Sequence, residues 1–349
     1  MMNKLHWLSA CFFLLLQSLP ARAQLSFQLE MIPNPYQAPK GTRAILVNGD
    51  GSHVVVYGKK VDEHDDKIPM AFHWSERDGH THLGLLNNRN VLLPMDISDD
   101  GKVIVGHNGG ASFVWTKQQK MRTVPKLKSH YINTAISISA DGKTVVGYTG
   151  WQSDIRAFRW EIGKSLHEIG TGKDKVKWRN ATYSSEDASV IVGSTPGQVY
   201  VWKSDNTITP IIAPEDCHFI AEDVSHDGHT IGGRCSIDTP MVWNEFNGFS
   251  TLPIPAEAAT AMITAMSGDG TKFLGSAKYK GENYMDTYRP ILWHQKHIYF
   301  LDDIVKQLNA NKAMKRVTIS NISSNGKVIV GGYKDSIDRY YPFKLIIKE

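Results

Sequence analysis

The chain has 349 residues, with 39 basic and 35 acidic side chains and a formal net charge of +4. That balance excludes the electrostatic footprint of a nucleic-acid binder or of strong attachment to anionic lipid. Beyond the first residues no stretch approaches the roughly 18 apolar residues of a membrane-spanning helix.

In chain order, a Lys4-bearing start, an apolar stretch through Leu16 and the small-residue site Ala21-Arg22-Ala23 form a secretory signal peptide, residues 1–23, cut before Gln24. Leu8-Ser9-Ala10-Cys11 imitates a lipoprotein box, but the apolar run continues past it as FFLLLQ, so ordinary cleavage is expected. The mature chain, 24–349, carries 37 basic against 35 acidic residues and is expected in the periplasm or outside the cell.

Next comes LSFQLEMIP, a strand-like run, and then seven copies of one phrase: VNGDGSHVVVYG, ISDDGKVIVG, ISADGKTVVG, YSSEDASVIVG, VSHDGHTIGG, MSGDGTKFLG and ISSNGKVIVG. Asp-Gly between apolar runs is a hairpin signal, the glycine taking the positive φ of the turn. The turn positions Gly51, Gly101, Gly142, Ala188, Gly228, Gly270 and Gly326 are spaced by 50, 41, 46, 40, 42 and 56 residues, the length of a four-stranded propeller blade. A third strand ends in Trp74, Trp115, Trp160, Trp202, Trp243 and Trp293, with Leu345 in the seventh copy, and a fourth run such as HEIGTG or FSTLPIP follows.

One segment, 301–317, has a helical pattern and accounts for the longest spacing. The last repeat stops short of a fourth strand, so residues Leu25 to Ile32 are predicted to supply it and remove both free edges. The expectation is an all-β, seven-bladed β-propeller of four-stranded antiparallel blades, closed by the N-terminal strand, in one domain.

Cys217 and Cys235 flank the fifth hairpin with a midpoint at 226, so they are predicted to oppose one another across it and to form a disulfide in an oxidising compartment. The repeated aspartates each stand beside a turn position and are read as Asx-type turn formers rather than calcium ligands. The six tryptophans are read as packing between sheets. His80 with His82, His226 with His229, and His294 with His297 lack the partners of a metal site, and no nucleophile elbow, zinc-protease or phosphate-loop motif is present. No metal or cofactor is expected.

The recurring S-x-D-G-x-x-V-V-G followed by A-F-x-W resembles the extracellular HAF-repeat proteins of bacteria across the mature chain. Ser139, Asp141, Gly142, Val145, Val146, Gly147, Ala157, Phe158 and Trp160 carry the resemblance most clearly. The S-x-D-G hairpin is also similar to that of Tol-associated periplasmic propellers, but Ala-Phe-x-Trp favours the first family. What the resemblance implies is an exported, propeller-like protein generally without an assigned reaction, so it transfers no catalytic residue.

In such a ring the Asp-Gly turns occupy one face. The more variable loops, including KKVDEHDDKIP, YTGWQSDIR, AKYKGENYMDTYR and YKDSIDRYY, occupy the other and are the expected binding rim. Aromatics outside the repeat phrase (Trp151, Trp178, Tyr279, Tyr284, Tyr288) have no packing role to explain them. With neighbouring arginines they give the candidate ligand-binding set Trp151, Arg156, Trp178, Arg179, Tyr284 and Arg289. Arg156 and Arg289 also fit local pairing beside their tryptophans. The function expected is a monomeric binding or interaction module for an envelope or extracellular protein or glycan. The alternative is a polysaccharide hydrolase or lyase, which would show two acids facing each other in the channel.

Overall fold

The computed structural model describes residues 25–35, 40–61, 67–86, 91–126, 132–150, 155–169, 180–195, 197–235, 239–280, 287–310 and 313–349. The signal-peptide reading falls outside them. Seven antiparallel four-stranded sheets form a β-propeller, with blades 1 to 6 spanning 40–82, 93–123, 133–168, 180–210, 220–251 and 260–300. Blade 7 takes three strands from 314–348. Its outermost strand is Ser26–Met31, paired antiparallel with Tyr340–Lys348 from Ser26 opposite Lys348 to Met31 opposite Phe343. Both the blade count and the closing strand agree with the repeat pattern.

The repeat phrase builds one hairpin geometry seven times. In blade 3, Asp141 Oδ1 accepts from the Ser139 hydroxyl (2.7 Å) and the Lys143 N–H (3.0 Å), while Ser139 Oγ accepts from the Thr144 N–H (2.9 Å). The same network recurs at Ser98 and Asp100, and at Ser225 and Asp227. Asn325 takes the acceptor role in blade 7, and in blade 1 Asn48 takes the place of the serine. Aspartate is therefore a turn element here, as its placement predicted. The fourth turn forms without glycine, with Ala188 itself at φ +55°.

The glycine ending each phrase has a different cause. Every first strand carries a β-bulge at the same place, between Ala44 and Leu46, Pro94 and Asp96, Ala135 and Ser137, Ala181 and Tyr183, Ala221 and Asp223, Ile263 and Ala265, and Ile319 and Asn321. Gly106 and Gly147 lie opposite the residue just before the bulge, where a Cβ would come within 2.2 Å of the Leu93 carbonyl oxygen and 2.1 Å of that of Thr134. The bulge leans the first-strand backbone onto the second strand, and only glycine leaves room. Blade 1 is the exception, with buried Val56 opposite Ala44, which is why its phrase runs longer.

Trp115, Trp160, Trp202 and Trp293 are buried, Trp243 is partly so, and Leu345 fills the seventh position fully buried, so the tryptophans are core. The helix is shorter than its pattern suggested. It covers Leu301–Leu308, and Met314–Ile322 is already the first strand of blade 7. The helix ends at Leu308 with Asn309 as its C-cap, and β-branched Val317 is buried in the strand. Leu301 and Val305 pack into the cluster holding Leu25 and Ile347, bracing the closing strand.

Cys217 and Cys235 are disulfide-bonded with Cα atoms 5.2 Å apart, but they are not opposed strand residues. The hairpin is centred between Asp227 and Gly228, with Val224 opposite Ile231 and Ile220 opposite Arg234, so the strand starts after Cys217 and leaves it in the connection. The cysteine midpoint at 226 falls short of that centre. A disulfide fits an oxidising compartment. Among the described residues no helix is long and apolar enough to cross a membrane.

Ala188 sits where an L side chain costs about 1 kcal/mol or more. Ala188→Gly is therefore expected to raise the thermal unfolding midpoint. Gly101→Ala should lower it by more, because a Cβ there would lie 2.4 Å from the His53 ring. A destabilising Ala188→Gly would contradict this reading of the turn.

Candidate functional site

The first strands line the central channel. On the turn side its mouth is ringed by main chain. The residue after each turn serine, or after Asn48, donates its N–H to the corresponding carbonyl of the next blade: Gly49 to Asp99 (3.2 Å), Asp99 to Ala140 (3.0 Å), Ala140 to Glu186 (2.7 Å), Glu186 to His226 (3.0 Å), His226 to Gly268 (2.8 Å) and Gly268 to Ser324 (2.8 Å). The Asn325 N–H completes the circle at the Gly49 carbonyl (3.0 Å). Side chains from three blades then narrow the mouth. Ser324 donates to Asp99 Oδ1 (2.6 Å), and His226 Nε2 lies 3.9 Å from Asp99 Oδ2. A Cβ on Gly49 would come within 2.5 Å of Asp99, and one on Gly268 within 2.8 Å of His226, so these glycines make room for those side chains.

Deeper in the channel, the residue after the bulge is acidic in two blades. Asp96 Oδ1 accepts from the Ile97 N–H (2.8 Å), and its Oδ2 accepts from the Ile138 N–H and the Ser137 hydroxyl (both 2.9 Å). Asp223 accepts from the Val224 N–H at Oδ1 and the Met266 N–H at Oδ2 (both 2.8 Å). Each carboxylate thus fastens its own blade to the next, at the 2/3 and 5/6 seams. Burial pushes Asp96 up to about 6 and Asp223 up to about 7, against the pull of these main-chain donors. Beside them, burial also raises Glu222, opposed by the charge of Arg234, whose Nε is 3.0 Å away. Tyr183 is held protonated by burial and by the Glu222 and Asp223 charges. Acids titrating near neutrality suit general acid–base work. Here, however, every oxygen of Asp96 and Asp223 accepts a main-chain N–H, a seam-fastening arrangement.

The loop face is open. A cleft of about 880 Å³ lies across blades 7, 1 and 2, lined by Arg43, Ile45, Tyr57, Lys59, Leu93, Lys334, Ile337, Asp338 and Tyr340 among others. Arg43 pairs with Tyr57 across neighbouring strands of blade 1, and Lys334 with Tyr340 in blade 7, with Lys334 Nζ 5.5 Å from the Tyr340 ring centre. Asp338 bonds both Lys334 (2.9 Å) and Lys315 (3.2 Å). Burial raises the Tyr57 hydroxyl above its ordinary range against the Arg43 charge, so it remains a donor.

Of the residues singled out by sequence, Trp151, Trp178, Arg179 and Tyr284 lie outside the described residues. Arg156 bonds Glu168 at 2.9 Å on the outer strand of blade 3. Arg289 bonds Asp302 (3.0 Å) and Asp303 (2.6 Å) and stacks 4.3 Å from the Phe300 ring centre, tying the helix to blade 6. Both arginines make local pairs, and neither lines the cleft. Tyr279 packs against the blade 6 core, and Tyr288 is half exposed. His80 bonds the Pro33 carbonyl (2.7 Å) and His229 bonds Glu245 (2.6 Å). Among the described residues no group of three histidine, cysteine or acidic side chains is arranged to hold a metal. The cleft residues carry no local motif in the sequence beyond the variability of the loops holding Lys59, Lys334 and Tyr340.

No protein-family model matches the chain, and no curated protein matches it. Solved structures do. Virginiamycin B lyase from Staphylococcus aureus aligns over 93% of this chain and 99% of its own, at 12% identity and a TM-score of 0.51. A catalytically inactive form of that enzyme with quinupristin aligns at 13% identity and 0.52, over 93% and 99%. An oligogalacturonate lyase in complex with manganese gives 11% identity and 0.58, over 94% and 97%. These likenesses show the fold.

The channel acids give stability a distinctive pH dependence. Because folding raises Asp96 and Asp223, the native state holds protons that the unfolded chain has released, and stability falls as pH climbs from about 4 through about 7. The turn aspartates run the other way. Burial alone would raise Asp100 and Asp141, but hydrogen bonds from the turn outweigh it, and their contribution is lost as pH drops below the ordinary carboxylate range. The unfolding midpoint of the wild type relative to that of Asp223→Asn should therefore decline between about pH 5 and about pH 8, a comparison that cancels the opposite contribution of His73, which burial lowers to about 4. An unchanged slope in the variant would refute the assignment.

Proposed function

We propose that the chain is an exported binding module of the HAF-repeat type, engaging an envelope or extracellular protein or glycan through its loop face. One observation carries this reading: a cleft of about 880 Å³ contributed by three blades opens on that face, walled by cations and tyrosines. The opposite face is ringed by the hydrogen-bonded circle of turns and narrowed by Asp99, His226 and Ser324. Binding surfaces held on variable loops above a rigid scaffold are the usual division of labour, and a fold alone assigns no reaction.

A second reading is supported by a specific feature. Asp96 and Asp223 are two channel acids with near-neutral titration, and the three similar structures are of two enzymes that are lyases by name. Against catalysis stands the use of all four carboxylate oxygens as acceptors of main-chain hydrogen bonds.

The test is cross-linked capture from producing cells with the mature protein, its Tyr57→Ala/Tyr340→Ala variant and a turn-face control, Lys102→Glu. A partner retained by wild type and control but lost from the cleft variant is expected. A partner lost only in the turn-face control would overturn the assignment of the binding face. Turnover of a polysaccharide, abolished by Asp96→Asn, would establish the enzymatic reading instead.

A further inference from the structure

We propose that the cleft across blades 7, 1 and 2 takes an acidic oligosaccharide, a run of sugar units bearing carboxylates. This rests on the loop-face reading above and names its ligand class. At about 880 Å³ the cleft is near the top of the roughly 300–1,000 Å³ span of small-ligand sites, room for several linked rings.

Among the described residues the charge on its walls is one-sided. Arg43, Lys59 and Lys334 face one acid, Asp338, and Lys315 shares that acid with Lys334. Among the described residues Arg43 and Lys59 form no ion pair. A guanidinium fork matches a carboxylate through two parallel hydrogen bonds, so Arg43 is suited to hold one.

The arrangement selects a sugar over an acidic peptide. Cation and tyrosine occur as directly paired neighbours twice, Arg43 with Tyr57 and Lys334 with Tyr340. Each pair presents a positive charge next to an aromatic face and a phenolic hydroxyl. A uronate unit offers the complementary set in one ring: a carboxylate, an apolar C–H face and hydroxyls. An aspartate or glutamate side chain offers the carboxylate alone. Ile337 and Leu93, 67% and 42% exposed, add apolar surface at the same cleft that a sugar face can cover.

Calorimetric titration of the mature protein with hyaluronan, alginate and polygalacturonate oligomers, and with neutral cello-oligosaccharides, tests this. At least one acidic series should bind, more weakly as salt rises. Arg43→Ala/Lys59→Ala should lose about tenfold or more in affinity with an unchanged unfolding midpoint, since both side chains are exposed. Tyr340→Ala should lose binding as well, while Arg43→Lys should retain part of it.

Equal binding of the neutral series, or acidic binding indifferent to the double variant, overturns the proposal. So does an absence of oligosaccharide binding by folded protein. If a cleft-dependent partner is nevertheless captured from cells, the binding-module reading stands and only the ligand class fails. If neither assay finds a cleft-dependent ligand, both fail.

Discussion

Ring closure is the constraint on which everything else in this molecule depends. A four-stranded sheet buries neither face by itself, so each blade is stable only between two neighbours, and a seven-blade row has two unsatisfied ends until it closes. Two devices close it at the same seam. Ser26–Met31 completes the sheet of blade 7, and the Asn325 N–H reaches the Gly49 carbonyl to finish a circle of main-chain hydrogen bonds. Side-chain packing agrees. The residue that would collide with a Cβ on Gly51 is Val328, across the seam between blades 7 and 1, so the turn glycine of one blade is a docking point for the last.

The asymmetry between the two faces follows from how the circle is made. The repeat phrase spends its serine, aspartate and glycine on identical turns, and those turns bind one another. The turn face is thereby uniform and committed, whereas the loop face carries the differences between repeats. The largest of these fall where the chain's two ends meet. Blade 1 replaces the bulge glycine with Val56 and extends its strands, and blade 7, which keeps Gly331 at its bulge, has long strands from Val328 to Asp335 and Tyr340 to Lys348. These longer strands raise Lys59, Lys334 and Tyr340 into walls, producing a cleft at the junction. The binding candidate is thus a by-product of the closure that holds the fold together.

Much of the architecture was legible in the sequence because it is written in short range and repeated. Asp-Gly turns, the tryptophan column and the closing strand LSFQLEMIP each depend on a few consecutive residues. Relations that cross blades were not legible. Asp96 and Asp223 stand in a column that also holds Leu46, Ala265 and Tyr183, and nothing local says that their carboxylates reach Ile138 and Met266 in the next blade. Arg43 and Tyr340 are almost the whole chain apart. The cysteines were paired correctly but placed wrongly, because the hairpin is centred beyond their midpoint and Cys217 precedes the strand. Arg156 and Arg289 were legible both as ligand candidates and as local pairs, and each is bonded within its own blade or to the adjacent helix.

The claim that closure makes the ring one cooperative body is tested most directly by native-state hydrogen exchange at the circle of turn amides and along the closing strand. The account predicts that the N–H groups of Gly49, Asp99, Ala140, Glu186, His226, Gly268 and Asn325 exchange together with those N–H groups of 26–31 that bond to the Tyr340–Lys348 strand, and only through global unfolding. Rapid exchange at Asn325 and the closing strand, with the other six turn amides still protected, would contradict it and leave an open array of blades.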